Sequence, residues 1–467
     1  MEQAHQEEGD SFRDHIHTID EKGKRVWIYP QQPSGKLYNL RKRLGNFFLL
    51  LLLALPYIRV NGEPLFLLNV SQGKFILFGA IFWPQDFFLF GLGMMIFVVF
   101  IALFTVIFGR VFCGWACPHT LFLEILFRRV EYWIEGDANS QKKLNASPWT
   151  PVKIRKKALK NAAFLLIAFV LAVTFFEYFV GVDGMKAMIT GPFPEHVTGY
   201  IALTVVTIGI YGIYTRFREQ MCLVVCPYGR LQGVLLDRDS IVVAYDYTRG
   251  EKREHLKKGA VRSAGDCIDC ALCVKVCPTG IDIRNGTQLE CVSCTACIDA
   301  CDEVMDKVGF EKGLIRYASE NGIAKKEKLH LTTRMMAYSG VLLVLMAVEV
   351  FLLASRTDLD TTIIRARGML YQDQPGDKIS NLYSIQLVNK TRNELPVQLR
   401  LESGQGEIRM IGKGIDVHPE NLSQGEFFVV LNKADIHRRK TNLEIGVYSG
   451  NRKIKTIETS FLAPFSR

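Results

Sequence analysis

Five long apolar runs constrain this chain more than any other feature of its sequence. A helix crosses the ~30 Å hydrocarbon core of a bilayer when about 20 consecutive residues are apolar. We therefore predict five membrane spans, which are Leu44–Val60, Phe87–Phe108, Leu159–Gly181, Val197–Phe217 and Met335–Ser355. Because the apolar residues are concentrated in these runs, a single water-soluble globule and a disordered chain are both excluded.

The Lys and Arg residues near the ends of these runs predict how the chain is oriented. They are frequent before the first run, between the second and third runs and before the fifth, whereas residues 61–86 and 182–196 carry only Lys74 and Lys186. The positive-inside rule then places the N-terminus in the cytoplasm, and five spans place the C-terminus outside. The net charge of +10 is explained by these flanks, so we do not expect nucleic acid as a partner. The residues before the first run lack the pattern of a cleavable signal peptide.

The segment between the fourth and fifth runs contains the bacterial ferredoxin pattern twice. The first copy is Cys267-x2-Cys270-x2-Cys273-x3-Cys277-Pro278, and the second is Cys291-x2-Cys294-x2-Cys297-x3-Cys301. In this pattern the fourth cysteine of each copy ligates the cluster of the other copy. We therefore predict two 4Fe–4S clusters, one held by Cys267, Cys270, Cys273 and Cys301 and the other by Cys277, Cys291, Cys294 and Cys297. Zinc knuckles also use Cys-x2-Cys pairs, but they would not need the third and fourth cysteines at this spacing.

The other four cysteines form a repeated Cys-x3-Cys-Pro motif directly after the second and fourth runs. The first motif is Cys113–Pro118 and the second is Cys222–Pro227, which follows it by 109 residues, so we interpret them as an internal duplication. Proline suits the first turn of a helix, so Cys117 and Cys226 are predicted to cap helix N-termini, where the macrodipole favours a thiolate.

Four thiolates from two related halves would form a soft site, predicted from Cys113, Cys117, Cys222 and Cys226. Soft sulfur ligands select Cu(I), or iron in a cluster or haem, over hard ions. The alternative is that these cysteines are buried and inert. His119 is a further candidate ligand, whereas Glu177 and Glu349 are interpreted as carboxylates that reach the membrane interface.

The remainder of the chain, from about Asp360, changes to short alternating stretches. Tyr383–Leu387, Val397–Leu401, Phe427–Leu431 and Leu443–Val447 each have apolar residues at every second position, separated by Gly, Pro and Asn. This pattern predicts a β-sandwich of immunoglobulin size. It contains no cysteine and no catalytic motif, so a docking or stabilising function is expected.

The predicted fold is therefore a membrane α-helical bundle of about five helices, with an inserted α+β dicluster ferredoxin domain and a C-terminal all-β immunoglobulin-like sandwich. The predicted domains are a cytoplasmic segment (1–43), a membrane core (44–236), the ferredoxin domain (237–333), the fifth helix (334–356) and the exported sandwich (357–467).

These motifs, together with the strings Phe112–Pro118 and Cys226–Gln232, closely resemble the FixG/RdxA/CcoG family over essentially the whole chain. The resemblance implies an assembly factor for the cbb(3)-type cytochrome c oxidase in the bacterial inner membrane, which reduces Cu(II) to Cu(I). It also implies copper as a substrate or bound ion, and oxidase subunits or copper chaperones as partners. The chain has no nucleotide-binding motif, so its electron donor is expected to be another molecule.

The mechanistic hypothesis is that electrons enter at the clusters, pass to the thiolates at the membrane edge and reduce copper there. Two alternatives remain open. One is a quinol-linked membrane electron carrier, like NapH and NosR, and the other is a copper-binding scaffold without redox activity.

Overall fold

The computed structural model describes residues 18–464. The exceptions are short gaps at 20–21, 23, 61, 71–72, 79, 84–85, 257–263, 327–331, 356–358, 367–369, 391–393, 395, 404, 413–416, 418–421, 437 and 451. Most of the predicted N-terminal segment before residue 18 therefore lies outside the described residues. The chain divides into two compact units, Met1–Gly79 with Phe90–Ala347 and Ala80–Leu89 with Val348–Arg467.

The helices are numbered in chain order. They are α1 (Lys36–Ala54), α2 (Phe87–Phe108), α3 (Val111–Trp115), α4 (Pro118–Leu121), α5 (Arg128–Glu135), α6 (Ala138–Ala146), α7 (Pro151–Thr190), α8 (Val197–Gly212), α9 (Pro227–Leu235), α10 (Tyr247–Gly250), α11 (Leu272–Lys275), α12 (Ala296–Val308), α13 (Glu320–Ala324) and α14 (Thr333–Ala354). Segments Phe122–Phe127, Ile213–Phe217 and Met221–Val225 are π-helical, and the first of these joins α4 to α5.

Four helices in the described part of the chain are long and apolar enough to cross a membrane. They are α2, α7, α8 with its π-helical extension, and α14, and they contain the second to fifth predicted spans. Helix α7 bends at Gly181, whose φ of 80° suits a residue without a Cβ, and the third predicted span ends at this residue.

Helix α1 differs from the first predicted span. It begins at Lys36 rather than Leu44, and it ends at Ala54 rather than Val60. Pro56 lies in a 3-10 turn, Leu55–Tyr57, because proline has no N–H to continue a helix. Charged residues in its first turns make α1 too polar to be counted with the four apolar helices. The predicted count of five spans is therefore not confirmed.

The residues after α1 form short strands that sequence analysis does not predict. They are β1 (Arg59–Val60), β2 (Glu63–Pro64), β3 (Phe66–Asn69), β4 (Lys74–Leu77) and β5 (Ala80–Phe82). Strand β3 packs against α7, where the Phe66 and Tyr178 rings meet edge to face with centroids 5.6 Å apart.

The ferredoxin domain is built on one antiparallel strand pair and two short helices. Strand β6 (Val242–Tyr245) pairs with β7 (Ile315–Ala318), with Val243 opposite Tyr317. Helices α11 and α12 pack against each other below this pair. The domain core consists of buried apolar residues from these elements and the loops between them, including Val243, Tyr245, Ile281, Ile283, Met305, Leu314 and Ile315.

The C-terminal strands form the predicted two-sheet sandwich. They are β8 (Leu359–Arg365), β9 (Gln372–Gln374), β10 (Lys378–Asn389), β11 (Val397–Leu401), β12 (Gly406–Met410), β13 (Leu422–Asn432), β14 (Lys440–Ser449) and β15 (Arg452–Leu462). One sheet has the order β12-β13-β10-β8 with β9 beside β10, and the other has the order β11-β14-β15. The four predicted strands lie within β10, β11, β13 and β14. Their alternate residues, such as Ile385, Phe427 and Ile445, are fully buried between the sheets.

Candidate functional site

The eight cysteines of the ferredoxin runs surround two separate cavities. One cavity, called the first site, is lined by Cys267, Cys270, Cys273 and Cys301. The other, called the second site, is lined by Cys277, Cys291, Cys294 and Cys297. Cys273 reaches the wall of both cavities, so the two sites are neighbours. Each site thus combines three cysteines of one run with the last cysteine of the other.

Left-handed backbone residues shape both runs in the same way. Asp269 and Ala271 have φ values of 50° and 53° in the first run, and Ser293 and Thr295 have 52° and 65° at the equivalent positions of the second. Non-glycine residues adopt this conformation at a cost of about 1–3 kcal/mol each, and only where the surroundings hold them there. Ala271 and Thr295 also start α11 and α12, which carry the third cysteine of each run.

The donor set and surroundings of both sites fit a 4Fe–4S cluster. Each cavity presents its four thiols against largely apolar walls, such as Val243 and Ile281 in the second site, and Arg284 adds a cation at the first. Burial raises the pKa of Cys273, Cys294 and Cys301 to about 12, so these thiolates need bound cations to form near neutral pH. Within the described residues, no three His, Cys, Asp or Glu side chains are placed to bind a single metal ion.

The two Cys-x3-Cys-Pro motifs have the predicted helix-capping geometry. Cys117 and Cys226 are the N-caps of α4 and α9, both with extended backbone, and the following prolines take the first helical position. Such an N-terminus directs unpaired N–H groups and a partial positive charge at the capping residue. The predicted position of both cysteines at helix N-termini is confirmed, although neither thiol accepts a hydrogen bond from its helix.

Three of the four cysteines of these motifs lie near enough to repel one another electrostatically, although they are not placed to bind one metal ion together. The Cys222 thiol lies 3.9 Å from the Thr120 hydroxyl of the first motif's helix. Burial, with added repulsion from Cys117 and Cys113, raises the pKa of Cys222 to about 12. Burial also raises the pKa of Cys113, although the Arg110 guanidinium opposes that effect. The described contacts do not bring Cys226 into this group, so its part in a shared site stays a prediction.

Arg110 joins the two motifs to the ferredoxin domain. Its Nε donates to Gln232 Oε1 of α9 at 2.7 Å, and its guanidinium also donates to the carbonyl of Leu289. The Cys113 thiol donates to the same Gln232 oxygen at 3.2 Å. The first motif, the helix after the second motif and the loop before the second site are therefore held in one buried hydrogen-bonded group.

His119 is occupied by protein contacts. Its ring stacks on Tyr214 with centroids 5.2 Å apart, and Nε2 lies 3.0 Å from the Arg218 carbonyl oxygen. Burial lowers the pKa of His119. The structure gives Nε2 this backbone partner rather than a place among the three thiols.

A small cavity beside Cys222 contains buried charges that sequence analysis missed. Thr120, Leu123, Glu124, Arg128, Glu219, Cys222, Pro278, Thr279 and Val292 line it. Arg128, which is 1% exposed, pairs with Glu124 at 2.6 Å and with Glu219 at 3.3 Å. It also donates to the Pro278 carbonyl at 3.0 Å, directly after Cys277, which lines the second site. The i,i+4 spacing of Glu124 and Arg128 was the available sequence signal, but it does not reveal burial.

Glu177 is buried against the protein and has a protein partner, and its predicted place at the membrane interface stays a prediction. Its side chain is 4% exposed, and Oε1 accepts a hydrogen bond of 2.6 Å from the Tyr57 hydroxyl. The turn at Pro56 brings Tyr57 against α7, and this tertiary contact replaces solvent as the partner of the carboxylate.

Comparison with known protein families identifies three regions of the chain. A 4Fe–4S dicluster domain family matches residues 217–320, and a 4Fe–4S binding domain family matches residues 90–138, which include the first motif. The family described as the Ig-like fold at the C-terminus of FixG matches residues 350–464.

Three curated relatives extend the similarity over most of the chain. Protein RdxB of Cereibacter sphaeroides is 36% identical over 81% of this chain and 83% of its own length. Nitrogen fixation protein FixG of Rhizobium meliloti is 31% identical, over 88% of this chain and 87% of its own length. Protein RdxA of Cereibacter sphaeroides is 33% identical, over 82% and 83% of the two lengths. The chain therefore belongs to the FixG/RdxA family and is a membrane iron–sulfur electron-transfer protein.

Proposed function

We propose that this protein reduces Cu(II) to Cu(I) at the membrane edge, for the assembly of a cbb(3)-type cytochrome c oxidase. Copper is the substrate, and each Cu(II) ion takes up one electron. No proton is transferred, and no covalent bond forms or breaks. An external one-electron reductant replaces that electron. The oxidase as destination rests on the resemblance to the FixG/RdxA/CcoG proteins.

One observation carries this proposal, which is the grouping of Cys113, Cys117 and Cys222 directly beside the second site. Cys113 packs in the same buried apolar cluster as Val292 and the second-site ligand Cys294. A thiolate favours Cu(I) over Cu(II) and over hard cations, so copper that reaches any of these thiols is biased toward the reduced ion. The arrangement supports reduction at this place rather than at the ferredoxin surface.

The residues of the chain contribute binding, burial and charge. The eight ferredoxin cysteines would hold two 4Fe–4S clusters, which store and release electrons one at a time. Arg110 places a cation beside the Cys113 thiol and keeps the two motifs together through Gln232. Burial of Cys113, together with the apolar side chains around it, limits access of water to the thiols.

The five-span topology is part of the same proposal. The Tyr38 amide at the start of α1 donates to Asp299 of the ferredoxin domain at 2.7 Å. Just after α1, the Tyr57 hydroxyl donates to Glu177. Glu177 lies in the second half of α7, far from the start of that helix at Pro151. The start of α1 is thus fixed to the ferredoxin domain and the turn after its end to the far part of α7, which supports a fifth crossing. The ferredoxin domain and the N-terminus would then face the cytoplasm, and the sandwich would face the periplasm.

A direct experiment is anaerobic purification, chemical reduction, removal of excess reductant and addition of Cu(II). Cluster absorbance and paramagnetic signals are followed together with Cu(I) trapped by a chelator. We expect cluster oxidation and Cu(I) formation to proceed in a one-to-one electron count. Clusters that stay reduced in the presence of Cu(II) would contradict copper reduction.

Single serine variants test the membrane-edge thiols separately from the clusters. Cys113→Ser, Cys117→Ser and Cys222→Ser are expected to lower Cu(I) formation strongly while both cluster signals remain. Cys226→Ser is expected to cause a smaller loss, because the described contacts do not bring Cys226 to the other three thiols. Copper reduction that survives in all four variants would remove the membrane edge from the path.

A quinol-linked electron carrier is the second candidate function. The buried carboxylates Glu124 and Glu219 line a small cavity beside Cys222, and oxidation of a quinol releases two electrons and two protons that need acceptors. Membranes supplied with a quinol would distinguish the two functions, since quinol-dependent reduction of the clusters favours the carrier.

A further inference from the structure

The two cysteine sites differ in what surrounds them. Of the eight ferredoxin cysteines, all of which lie among the described residues, only Cys270 of the first site is exposed. The second site lies beneath the first Cys-x3-Cys-Pro motif, where Cys113 contacts the buried cluster of Val276, Val292 and Cys294. The first site therefore opens to solvent, and the second faces the membrane-edge thiols.

The contact at the second site depends on two adjacent residues of α3. The Trp115 indole Nε1 donates to the Ser293 carbonyl at 3.2 Å, and Ser293 directly precedes the ligand Cys294. The same nitrogen donates to the Tyr317 hydroxyl of β7, also at 3.2 Å. The Tyr317 hydroxyl itself donates to the Ser293 carbonyl at 3.2 Å. Trp115 thus joins the loop between Cys113 and Cys117 to the loop between Cys291 and Cys294.

Gly114 allows the two backbones to approach closely. A Cβ built on Gly114 would lie 2.4 Å from the Val292 carbonyl oxygen and 2.9 Å from that of Ser293. On the opposite side, the Gly114 carbonyl accepts a hydrogen bond of 2.6 Å from Arg41 Nε of α1. Any side chain at position 114 must therefore push the motif away from the second site.

From this contact we infer that Trp115 and Gly114 are positioning residues for electron exchange between the second site and the membrane-edge thiols. The inference rests on the proposed function and adds a direction to it. An external one-electron reductant is oxidised at the exposed first site, and the acceptor at the membrane edge is reduced from the second. One electron passes in each transfer step. No proton is transferred, and no covalent bond forms or breaks.

The full-length holoprotein with Gly114→Ala tests this inference, and Gly209→Ala in α8 is the matched control. A Cβ on Gly209 meets no atom within 4 Å, so the control makes the same chemical change without displacing a neighbour. We expect slower oxidation of the reduced protein by Cu(II) in Gly114→Ala and no change in the control, because the rate of electron transfer falls as donor and acceptor move apart. Oxidation by ferricyanide, which reaches the exposed first site directly, should keep its rate in both.

Trp115→Phe is the second variant, since it removes the indole N–H but keeps a buried aromatic ring. Trp133→Phe is its control because Trp133 is 84% exposed. A readout that does not depend on copper is the paramagnetic spectrum of the two clusters. Its signals are assigned to the first and second sites with Cys270→Ser and Cys294→Ser, respectively. We expect Trp115→Phe and Gly114→Ala to change the second-site signal alone, and to increase alkylation of Cys113 measured by peptide mapping.

The outcomes separate this inference from the proposed function. If the unmodified protein fails to reduce Cu(II), the proposal of copper reduction is wrong. The cluster spectra and the alkylation of Cys113 still decide whether Gly114 and Trp115 position the motif against the second site. If Cu(II) oxidises Gly114→Ala at the unmodified rate, or if neither spectra nor alkylation change in either variant, the inference is overturned while copper reduction stands.

Discussion

Arg218 shows how a single residue can organise the region around the motifs. It has a left-handed backbone with φ of 50°, which is costly for a side chain with a Cβ. Two guanidinium nitrogens donate to the two oxygens of Glu131 at 3.0 and 2.8 Å, and both side chains are at least 95% buried. Burial alone would raise the pKa of Glu131, but Arg218 and Lys160 more than offset it and hold that pKa below its usual range.

Replacing Arg218 with Gln leaves the Glu131 carboxylate buried without its bidentate partner. We expect a loss of about 3–5 kcal/mol in the free energy of unfolding, since removal of one partner strands a buried charge. Thermal unfolding in detergent measures it. Arg409→Gln is the control because its pair with Glu407 is more than half exposed, and exposed pairs contribute about 0–1 kcal/mol. Equal shifts in the two variants would contradict the role given to burial.

At the scale of elements, helix α1 takes its N-terminal cap from a distant part of the chain. Its N-cap residue is Gly35, which makes no side-chain cap, and the Asp299 carboxylate accepts from the Leu37 and Tyr38 amides at 3.1 and 2.7 Å. Asp299 lies in α12 between the predicted ligands Cys297 and Cys301. The start of α1 is therefore fixed to the ferredoxin domain rather than to its own flanking residues.

Asp299→Ala should release this end of the helix. We expect a loss of about 1 kcal/mol, as for other helix N-caps, and faster hydrogen exchange at the Leu37 and Tyr38 amides. Asp306→Ala in the same helix is the control, because its ion pair with Lys312 is more than half exposed. Unchanged exchange at both amides would show that Asp299 does not cap α1.

At the scale of the whole molecule, the second unit contains a buried ion pair between remote segments. Lys390, at the end of β10, lies 2.6 Å from Asp86, which precedes α2, with side chains 6% and 8% exposed. Lys390→Met should destabilise this unit by about 3–5 kcal/mol, whereas the double variant with Asp86→Leu should regain most of that loss. Calorimetry of the unmodified protein and of these two variants tests this, and a double variant no more stable than Lys390→Met would contradict it.

The membrane topology is the second prediction at this scale. With α1 crossing, a reporter active only outside the cytoplasm should be active when fused after the sandwich and inactive at the N-terminus. A control fusion inserted after Leu256 in the ferredoxin domain should also be inactive. An active N-terminal fusion with an inactive control would leave four spans and contradict the crossing of α1.

Much of the ligand chemistry can be predicted from the sequence because it depends on local spacing. The Cys-x2-Cys-x2-Cys runs, the Cys-Pro helix starts at Cys117 and Cys226, and the period-two strands such as β10 are all set within about ten residues of chain. The long apolar helices follow equally from composition, since a bilayer imposes a length that hydropathy alone reveals.

Only the tertiary structure decided which of these local features meet. Sequence spacing could not show that Cys222 lies near enough to Cys113 and Cys117 to be repelled by them, or that Gly114 lies against Val292. It also misplaced the limits of the first span, because α1 ends at Ala54 before the turn that contains Pro56, and it gave no sign that Tyr57 bonds Glu177, 120 residues further along the chain. Long-range contacts depend on how the elements pack, and burial changes what a charged or sulfur group can do there.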